Sequence, residues 1–510
     1  MVIYIGAAIF AGTIARGAIQ GISDFLVAGR SLRIHTASAT YISTGLGLVT
    51  VMYFAEEGFK NGFAPFLVGI ISLVGAMVIA RTGFIVSRLR HLRVMTVPEF
   101  YELRYNRGVR ILGGIFLGIA GTLNMGLFPI LGSRFVVGFT GLPIEYVNYV
   151  MVGLLVIVVF YTLMGGMVSV VLTDFAQFIL LSLGFLFGTY FILVHPQLGW
   201  GTIVDSLEQH KGAIAFDTLI NPDYGWIWVL YFFLVQFIGI VWQPEMMRPL
   251  SAENARVARR VFWFSATTTV GRAMVPMFWG AAAFVWVHLP TYSGQYVGDG
   301  RYAMPEMMGQ ILPIGFAGLL MAGMCAAFMS THDSYLLAWS GVFVRDVISP
   351  IKAALNGGRH GRAEDDTWGG LSSEREIYWT RIVVVILAVF LGIFGAFYTP
   401  PETSFKFMYV TGTIYFAGAV GTVALGLYWS KANSVGAYCA LLLGAAGPIS
   451  FLLLSEIPPQ VLPSSLRFFV ENSNISSLSS LVLGGLGMVI GSLATQKSHP
   501  PRAIDFSGME

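Results

Sequence analysis

The sequence predicts an all-α polytopic membrane protein, and three observations support this fold class. Of the 510 residues, 55% are hydrophobic and only 11% are charged, whereas an average soluble domain has about 25% charged residues. The mean hydropathy is +0.72, with apolar runs spread along the whole length. Lys and Arg are distributed very unevenly among the segments between these runs. We therefore expect a single transmembrane domain over residues 1–510.

Thirteen apolar segments are long enough to cross a bilayer, which takes roughly 20 apolar residues per helix. The first is the weakest, because Arg16 interrupts it. Cys325 and Cys439 both lie inside apolar runs, so we expect packing residues rather than a disulfide or a metal site. The predicted helices cover approximately 2–22, 36–54, 64–86, 111–140, 147–165, 172–194, 225–243, 261–287, 311–343, 380–398, 405–428, 434–455 and 477–495.

The orientation follows from the basic residues, which concentrate in cytoplasmic loops. If the N-terminus is outside, the inner segments contain 23 of the 30 Lys and Arg residues and the outer loops contain 5. We therefore predict an outside N-terminus and a cytoplasmic C-terminus in a plasma (inner) membrane. The longest polar stretch, about 346–378, is then cytoplasmic and is predicted to be a mobile loop.

Hydroxylated and small residues alternate in the second predicted helix, over Thr36–Gly47, and end in two glycines, Gly45 and Gly47. Irregular backbone survives at membrane depth only where protein or water satisfies it. The pattern is typical of a broken helix whose free carbonyl groups bind a cation. A tight helix–helix contact built from small residues is the alternative interpretation.

The ninth predicted helix contains five consecutive polar residues, Ser330-Thr-His-Asp-Ser334. Polar groups inside a membrane are costly and usually mark ion or substrate pathways. The hydroxyls of Ser330 and Thr331 are hard oxygen ligands of the kind that suits Na+, and Asp333 could supply charge. A polar cluster that joins helices is the alternative.

A third motif, Gly165-Gly-Met-Val-Ser-Val-Val-Leu-Thr-Asp-Phe-Ala-Gln177, connects two predicted helices on the inside. Gly165 and Gly166 are expected to form the turn. Thr173 and Asp174 could cap the next helix, which would explain Asp174 without any function.

This third motif resembles the signature of the sodium/solute symporter family, which includes sodium/proline and sodium/glucose carriers. Further resemblances occur in the family's order over roughly residues 20–430. They are Phe25–Leu32, Thr96–Tyr105, the pair Gln243 and Arg248, and Ser330–Ser334.

The resemblance implies a LeuT-type core of two inverted five-helix repeats whose first and sixth core helices are broken. The repeats would cover about 36–194 and 225–428. Peripheral helices would then lie at about 2–22, 434–455 and 477–495.

The resemblance also implies a sodium site between the first and eighth core helices. Its ligands would be the carbonyls of Ala39, Ile42 and Ala327 and the hydroxyls of Ser330 and Thr331. Asp174 would correspond to an acidic residue of the family implicated in cation access or a further cation site, and Asp333 is a second candidate for that role.

The solute is not identified by the resemblance, because the stretch from Ser43 to Gly58 departs from the family and ends in Glu56-Glu57. Arg272 lies in the middle of a predicted helix and needs a partner there. It could pair with Asp333 or bind an anionic solute. The substrate candidates are Tyr41, Gly45, Leu46, Gln243 and Arg272.

These observations predict a sodium-coupled symporter of a small organic solute, and we expect this solute to bear a carboxylate. Na+ is the expected coupling ion, the bilayer is the expected surrounding, and no nucleic-acid partner is expected. Proton coupling through Asp333, His332 or Asp174 is the alternative. A membrane sensor would need an output domain, and the predicted cytoplasmic tail has only about fifteen residues. An enzyme is not expected, since neither paired carboxylates at metal-type spacing nor a nucleophile–base pair is evident.

Overall fold

The computed structural model describes residues 21–294, 298–355, 371–400, 403–470, 472–504 and 506. Within this part, the side chains of 161, 164–173, 175–176, 459, 465 and 468 are not described. The first predicted helix, 2–22, lies almost wholly outside the described residues.

Every regular element in the described part of the chain is helical, which confirms the all-α class. The first half contains α1 Ile22–Val27, α2 Ile34–Gly45, α3 Leu48–Asn61, α4 Leu67–Thr82, α5 Val86–His91, α6 Val97–Arg104, α7 Arg107–Met125, α8 Phe128–Thr140, α9 Val147–Val194 and α10 Gly199–Lys211. The second half contains α11 Gly225–Ile238, α12 Gln243–Ser251, α13 Ala255–Val287, α14 Gly300–Ile311, α15 Ile314–Val342, α16 Ser349–Leu355, α17 Ser373–Phe397, α18 Ser404–Ala419, α19 Ser434–Leu454, α20 Ser464–Val470 and α21 Ser473–Ala494.

Nine helical stretches of the described chain are long and apolar enough to span a membrane. Two bent pairs bring the number to as many as 11. This confirms a polytopic membrane protein, while the predicted number of thirteen is not reached in the part of the chain that the structure describes. The two bent pairs are α2 with α3, at 48°, and α11 with α12, at 52°.

Helix α9 differs from the prediction of two helices joined by a turn. The backbone is helical from Val147 to Val194 and has no separate loop at Gly165 and Gly166. A straight helix of this length would extend about 72 Å, more than twice the hydrocarbon thickness of a bilayer. Within it, Gln177–Val194 has the length and composition of a span, and Ile144–Phe160 is a shorter apolar helix.

The predicted polar loop at 346–378 is helical at both ends. A wide helical turn over Phe343–Ile348 continues α15 into α16, and α17 begins at Ser373. Residues 356–370 lie outside the described part, so the expectation of a mobile loop is untested for them.

Glycines allow α3 and α13 to pack with their backbones in contact. A side chain at Gly58 would overlap the backbone of Met277, and one at Gly280 would overlap the backbone of Ala55. Small residues at such positions are typical of helix contacts in membranes. This contact fixes α13, which bears Arg272, against the helix that follows the first break.

Buried ion pairs hold α6 and α7 against the end of α15 and the start of α17. Each arginine is surrounded by carboxylates, which offsets the cost of its burial. The pairs are Arg110 with Asp346 at 2.9 Å, Arg110 with Glu102 at 2.9 Å, Arg345 with Glu376 at 2.9 Å, and Arg345 with Glu99.

The two acidic residues at the end of α3 contact the start of α18. Glu57 is fully buried and accepts hydrogen bonds from Tyr224, Thr403 and Asn61. Glu56 accepts one from the backbone N–H of Ser404 at 3.0 Å. The pair Glu56-Glu57 therefore joins helix ends in this structure, and neither residue lines the central cavity between the two bent pairs.

Candidate functional site

The break between α2 and α3 falls at Leu46 and Gly47, within the segment predicted to be a broken helix. The N–H of Leu46 closes α2 by donating to the carbonyls of Ile42 and Ser43, at 3.0 and 3.2 Å. The hydroxyl of Thr50 donates to the carbonyl of Gly45 at 3.2 Å. The break therefore has protein groups that satisfy part of its freed backbone, as membrane depth requires.

Helix α15 presents its hydroxylated residues to this break. The Oγ atoms of Ser330 and Ser43 are 3.5 Å apart. The Thr331 side chain fills the space that a side chain at Gly47 would need. The Thr331 hydroxyl is buried and has no hydrogen-bond partner among the described residues. A buried polar atom without a protein partner calls for an explanation, and a bound ion or water is one that fits an oxygen beside a helix break.

The five predicted sodium ligands lie on these two helices, Ala39 and Ile42 on α2 and Ala327, Ser330 and Thr331 on α15. The two hydroxyl-bearing residues, Ser330 and Thr331, lie at the break between α2 and α3. The carbonyl of Ile42 already accepts one hydrogen bond, from Leu46, and a carbonyl oxygen has a second lone pair. The donor set of neutral oxygens fits a hard monovalent cation.

Asp174 lies inside α9 rather than at a helix start, so the capping interpretation is wrong. Its carboxylate is fully buried and accepts a hydrogen bond from the hydroxyl of Thr40. Ser330 also interacts with it, and Nη2 of Arg248 lies 3.9 Å from its Oδ2 atom. Asp174 thus connects α9 with α2, with α15 and with α12, directly beside the candidate sodium site.

Asp333 contacts Arg248 through Ser334 and does not contact Arg272. The Ser334 hydroxyl donates to Asp333 at 3.2 Å, and Arg248 donates to the Ser334 hydroxyl at 2.5 Å. The suggested pairing of Arg272 with Asp333 is therefore wrong, because Arg272 pairs with Glu245 at 3.9 Å and Asp333 adjoins Arg248 of α12. His332 is fully buried, and its Nδ1 atom lies 2.8 Å from the carbonyl oxygen of Phe328.

A cavity of about 240 Å³ lies between the two broken helices. Its walls come from α2 and α3, from the α11–α12 break, and from α4, α7, α13, α15 and α18. They combine aromatic surface with a few polar groups, as small-molecule sites usually do. Among the lining residues are Tyr53, Asn124, Gln236, Trp242, Phe262, Thr269, Thr331, Tyr335 and Phe405.

Thr331 belongs both to the cavity wall and to the candidate sodium site. The two candidate sites are therefore adjacent, and one side chain touches both.

Two opposite charges lie in the cavity wall. Nη1 of Arg272 is 3.9 Å from Oε1 of Glu245. The Arg272 guanidinium also lies against Gly45, where a larger residue would overlap it. Arg272 is thus placed between the end of α2 and the first turn of α12.

Three of the five predicted substrate residues, Tyr41, Gly45 and Arg272, line this cavity. Leu46 is buried at the break and is not part of the lining. Gln243 is also outside the lining, because its amide bonds the backbone of Met95 and Val97, at 3.0 Å each. Gln243 therefore fixes the segment before α6 to the start of α12.

Glu245 is the main cavity residue that the sequence analysis missed. It follows Gln243 and Pro244, just after the second helix break. An acidic residue in the first turn of a half-helix inside an apolar region is a recognisable signal. The aromatic residues of the wall give no such signal, since interfacial anchors have the same composition.

Comparisons with known proteins identify relatives of this chain. The sequence model of the sodium:solute symporter family matches residues 25–444. A sodium/glucose cotransporter of Vibrio parahaemolyticus is 22% identical over 487 residues, which is 90% of this chain and 84% of the relative. A sodium/pantothenate symporter of Haemophilus influenzae is 25% identical over 480 residues, covering 89% and 88%.

A solved structure has a similar fold, that of a Na+-coupled sialic acid symporter in a substrate-bound outward-open state. The TM-score is 0.75 at 16% identity, over 96% of each chain.

Proposed function

The chain belongs to the sodium:solute symporter family, and from this premise we propose which of its residues bind the two cargoes. It is an integral membrane protein that couples Na+ to the transport of a small solute. Proton coupling is not favoured, since the family and the sodium/glucose and sodium/pantothenate relatives are sodium-coupled.

The sodium ion is proposed to bind where α15 meets the break between α2 and α3. The ligands are the carbonyl oxygens of Ala39, Ile42 and Ala327 and the hydroxyls of Ser330 and Thr331. The buried, unbonded hydroxyl of Thr331 beside Gly47 is the observation that supports this most strongly. A cation there would supply the partner that this oxygen lacks.

Asp174 is proposed as a second cation or access residue, with Asp333 behind it. Its carboxylate adjoins Ser330, so a cation at the Ser330 hydroxyl would lie near a negative charge. Arg248, next to both carboxylates, would compensate one of their two negative charges when no cation is present.

The solute is proposed to bind in the central cavity and to bear a carboxylate. Arg272 would bind that carboxylate, because a guanidinium pairs with it in two parallel hydrogen bonds. Tyr41 and Gly45 would contact the solute from the end of α2. The cavity and the sodium site share Thr331, which supports mutual stabilisation of the two cargoes.

The proposed architecture is a single domain with repeats at about 36–194 and 225–428. Each repeat begins with a helix pair that is bent at a short break. Rocking about these breaks would expose the cavity to one side of the membrane at a time. We place the N-terminus outside and the C-terminus in the cytoplasm, from the distribution of Lys and Arg.

The test is the thermal stability of the purified protein in Na+ against equimolar K+. A ligand that binds only the folded state raises apparent stability by RT ln(1 + [L]/Kd). We expect a Na+-specific rise in Tm that Ser330→Ala/Thr331→Ala abolishes. Thr267→Ala, on the exposed face of α13, is the matched control and should retain the rise. A rise that survives in the double variant would refute the proposed ligands.

A further inference from the structure

The central cavity contains one positive and one negative side chain and no other charge among its described lining residues. Nη1 of Arg272 and Oε1 of Glu245 are 3.9 Å apart, which is beyond hydrogen-bond length. The two side chains are 30% and 25% exposed. Within the described residues, the Arg272 side chain donates no hydrogen bond and the Glu245 side chain accepts none, so both charged groups keep their hydrogen-bonding capacity toward the cavity.

Each of these charges lies at a helix end of the complementary polarity. Glu245 is in the first turn of α12, where the helix dipole favours negative charge. The guanidinium of Arg272 adjoins Gly45, the last residue of α2, where the dipole favours positive charge. Each helix end at the two breaks thus favours the charge that lies beside it.

The net charge of the wall restricts which solutes match it. A solute with one negative charge would satisfy Arg272 and bring a like charge to Glu245. A solute with one positive charge would satisfy Glu245 and bring a like charge to Arg272. A neutral solute would leave Arg272 and Glu245 with only each other, at 3.9 Å and without a direct hydrogen bond, as charged partners.

We propose that the transported solute is zwitterionic, with its carboxylate bound by Arg272 and its ammonium group bound by Glu245. This inference rests on the proposed function and extends its carboxylate-bearing solute to one that also has a positive charge. Aromatic side chains of the wall, such as Tyr53, Trp242 and Phe405, would contact the body of the solute.

The test compares four solute pools on the full-length protein in Na+ buffer, with the Tm as readout. One pool contains the standard neutral amino acids with glycine betaine and carnitine. The second contains the corresponding carboxylic acids without the amino group, and the third contains the corresponding amines without the carboxylate. The fourth contains glucose, galactose, mannitol and inositol.

We expect the zwitterion pool to raise Tm at about tenfold lower concentration than any other pool, because hydrogen bonds to charged groups are the strong ones. An equal or larger effect of the acids, the amines or the sugars would overturn the inference, as would no effect of the zwitterions. Loss of the Na+-specific rise itself would instead contradict the proposed function. The two failures are therefore distinguishable.

Two variants then assign the charges. Glu245→Gln should weaken the effect of the zwitterion pool about tenfold or more and strengthen that of the acids. Arg272→Gln should weaken the zwitterion effect similarly and strengthen that of the amines.

A retained Na+-specific rise in Tm verifies that each variant folds. Glu208→Gln and Arg375→Gln, both at exposed positions, are the matched controls. An unchanged order of the pools in both cavity variants would contradict the assignment.

Discussion

Asp174 shows how a residue that local sequence explains can have a different role in the fold. Its position after Thr173 suggested a helix cap, but the structure buries it in α9 against Thr40 and Arg248. A buried carboxylate and a neighbouring arginine compensate each other's charge, so removal of either leaves the other charge buried without its partner.

Asp174→Asn should therefore destabilise the protein and weaken sodium binding. Removing one member of a buried pair costs about 3 kcal/mol, since Arg248 would lose a compensating charge. The apparent Na+ affinity, measured from the Tm as a function of Na+ concentration, should fall about tenfold. Asp205→Asn, at an exposed position on α10, should change neither quantity. An unchanged Na+ affinity in Asp174→Asn would remove Asp174 from the cation pathway.

Asp223, which lies just before α11, is expected to make the stability of the protein depend on pH. Burial alone would raise its pKa, but Lys406 and Lys60, at 3.0 and 2.9 Å, lower the pKa to about 2. Because the folded pKa is below the unfolded value, the stabilisation is complete above about pH 4 and is lost as the pH falls toward 2.

Asp223→Asn should thus lower the Tm at pH 7, by an amount equivalent to about 1 kcal/mol. The difference from wild type should close between about pH 4 and pH 2. Asp205→Asn serves again as the control and should follow wild type. A difference that persists unchanged at pH 2 would show that the ion pairs are not its cause.

The sequence predicted individual site residues where local chemistry is unusual and missed them where only the fold assembles them. Ser330 and Thr331 were identifiable because consecutive polar residues inside an apolar helix are costly. Leu46 and Gln243 were named as substrate candidates, but neither lines the cavity. The Gln243 side chain instead bonds the backbone of Met95 and Val97 at the start of α6. The position of Glu245 was a recognisable signal that was missed, whereas its pairing with Arg272 is produced only by the fold, which brings α13 to α12.

At the scale of the helices, the glycines at the first break separate the two candidate sites. A side chain at Gly47 would overlap Thr331, whereas one at Gly45 would overlap Arg272. One residue thus makes room for the proposed sodium ligand and the other for the proposed solute ligand.

Gly47→Ala should therefore impair sodium binding, and Gly45→Ala should impair solute binding with the Na+-specific rise in Tm retained. At Gly45 the methyl group would displace the flexible end of Arg272, and at Gly47 it would overlap the short Thr331 side chain, where overpacking costs about 1–3 kcal/mol. Gly271→Ala in α13, where the space is open, should be neutral or slightly stabilising. Both effects are measured by titrating Tm with Na+ and with the solute pools. Loss of the Na+ response in Gly45→Ala would contradict this separation.

The sequence predicted the long apolar helices and the first helix break, but it did not predict the continuous helix α9 or the short polar helices. Long apolar runs indicated the spans, and the small and hydroxylated residues up to Gly47 indicated the first break. The predicted turn at Gly165 and Gly166 was wrong, because glycine permits a turn but does not prevent a helix. Helices α10 and α14 were missed, since both are too short and too polar to resemble spans.

For the whole molecule, one sodium ion per solute supplies adequate driving force. Moving one charge through 100 mV releases about 2.3 kcal/mol, and a tenfold Na+ gradient adds about 1.4 kcal/mol. Together, about 3.7 kcal/mol supports roughly 500-fold accumulation of a solute without net charge.

The proposed orientation is tested with single cysteines in a background lacking Cys325 and Cys439. Ser498→Cys, which is exposed after α21, should react with a membrane-impermeant maleimide only in inside-out vesicles. Gln209→Cys, which is exposed on α10, should react only in intact cells. Labelling of both positions from the same side would contradict the topology, because the distribution of Lys and Arg places them on opposite sides.

The most direct test of coupled transport through these residues is ²²Na+ uptake into proteoliposomes, with and without the four solute pools combined. We expect the pools to stimulate Na+ uptake into vesicles containing wild-type protein or the Thr267→Ala control, and we expect Ser330→Ala/Thr331→Ala to abolish the stimulation. Sodium uptake that ignores the solutes, or stimulation that survives in the double variant, would contradict it.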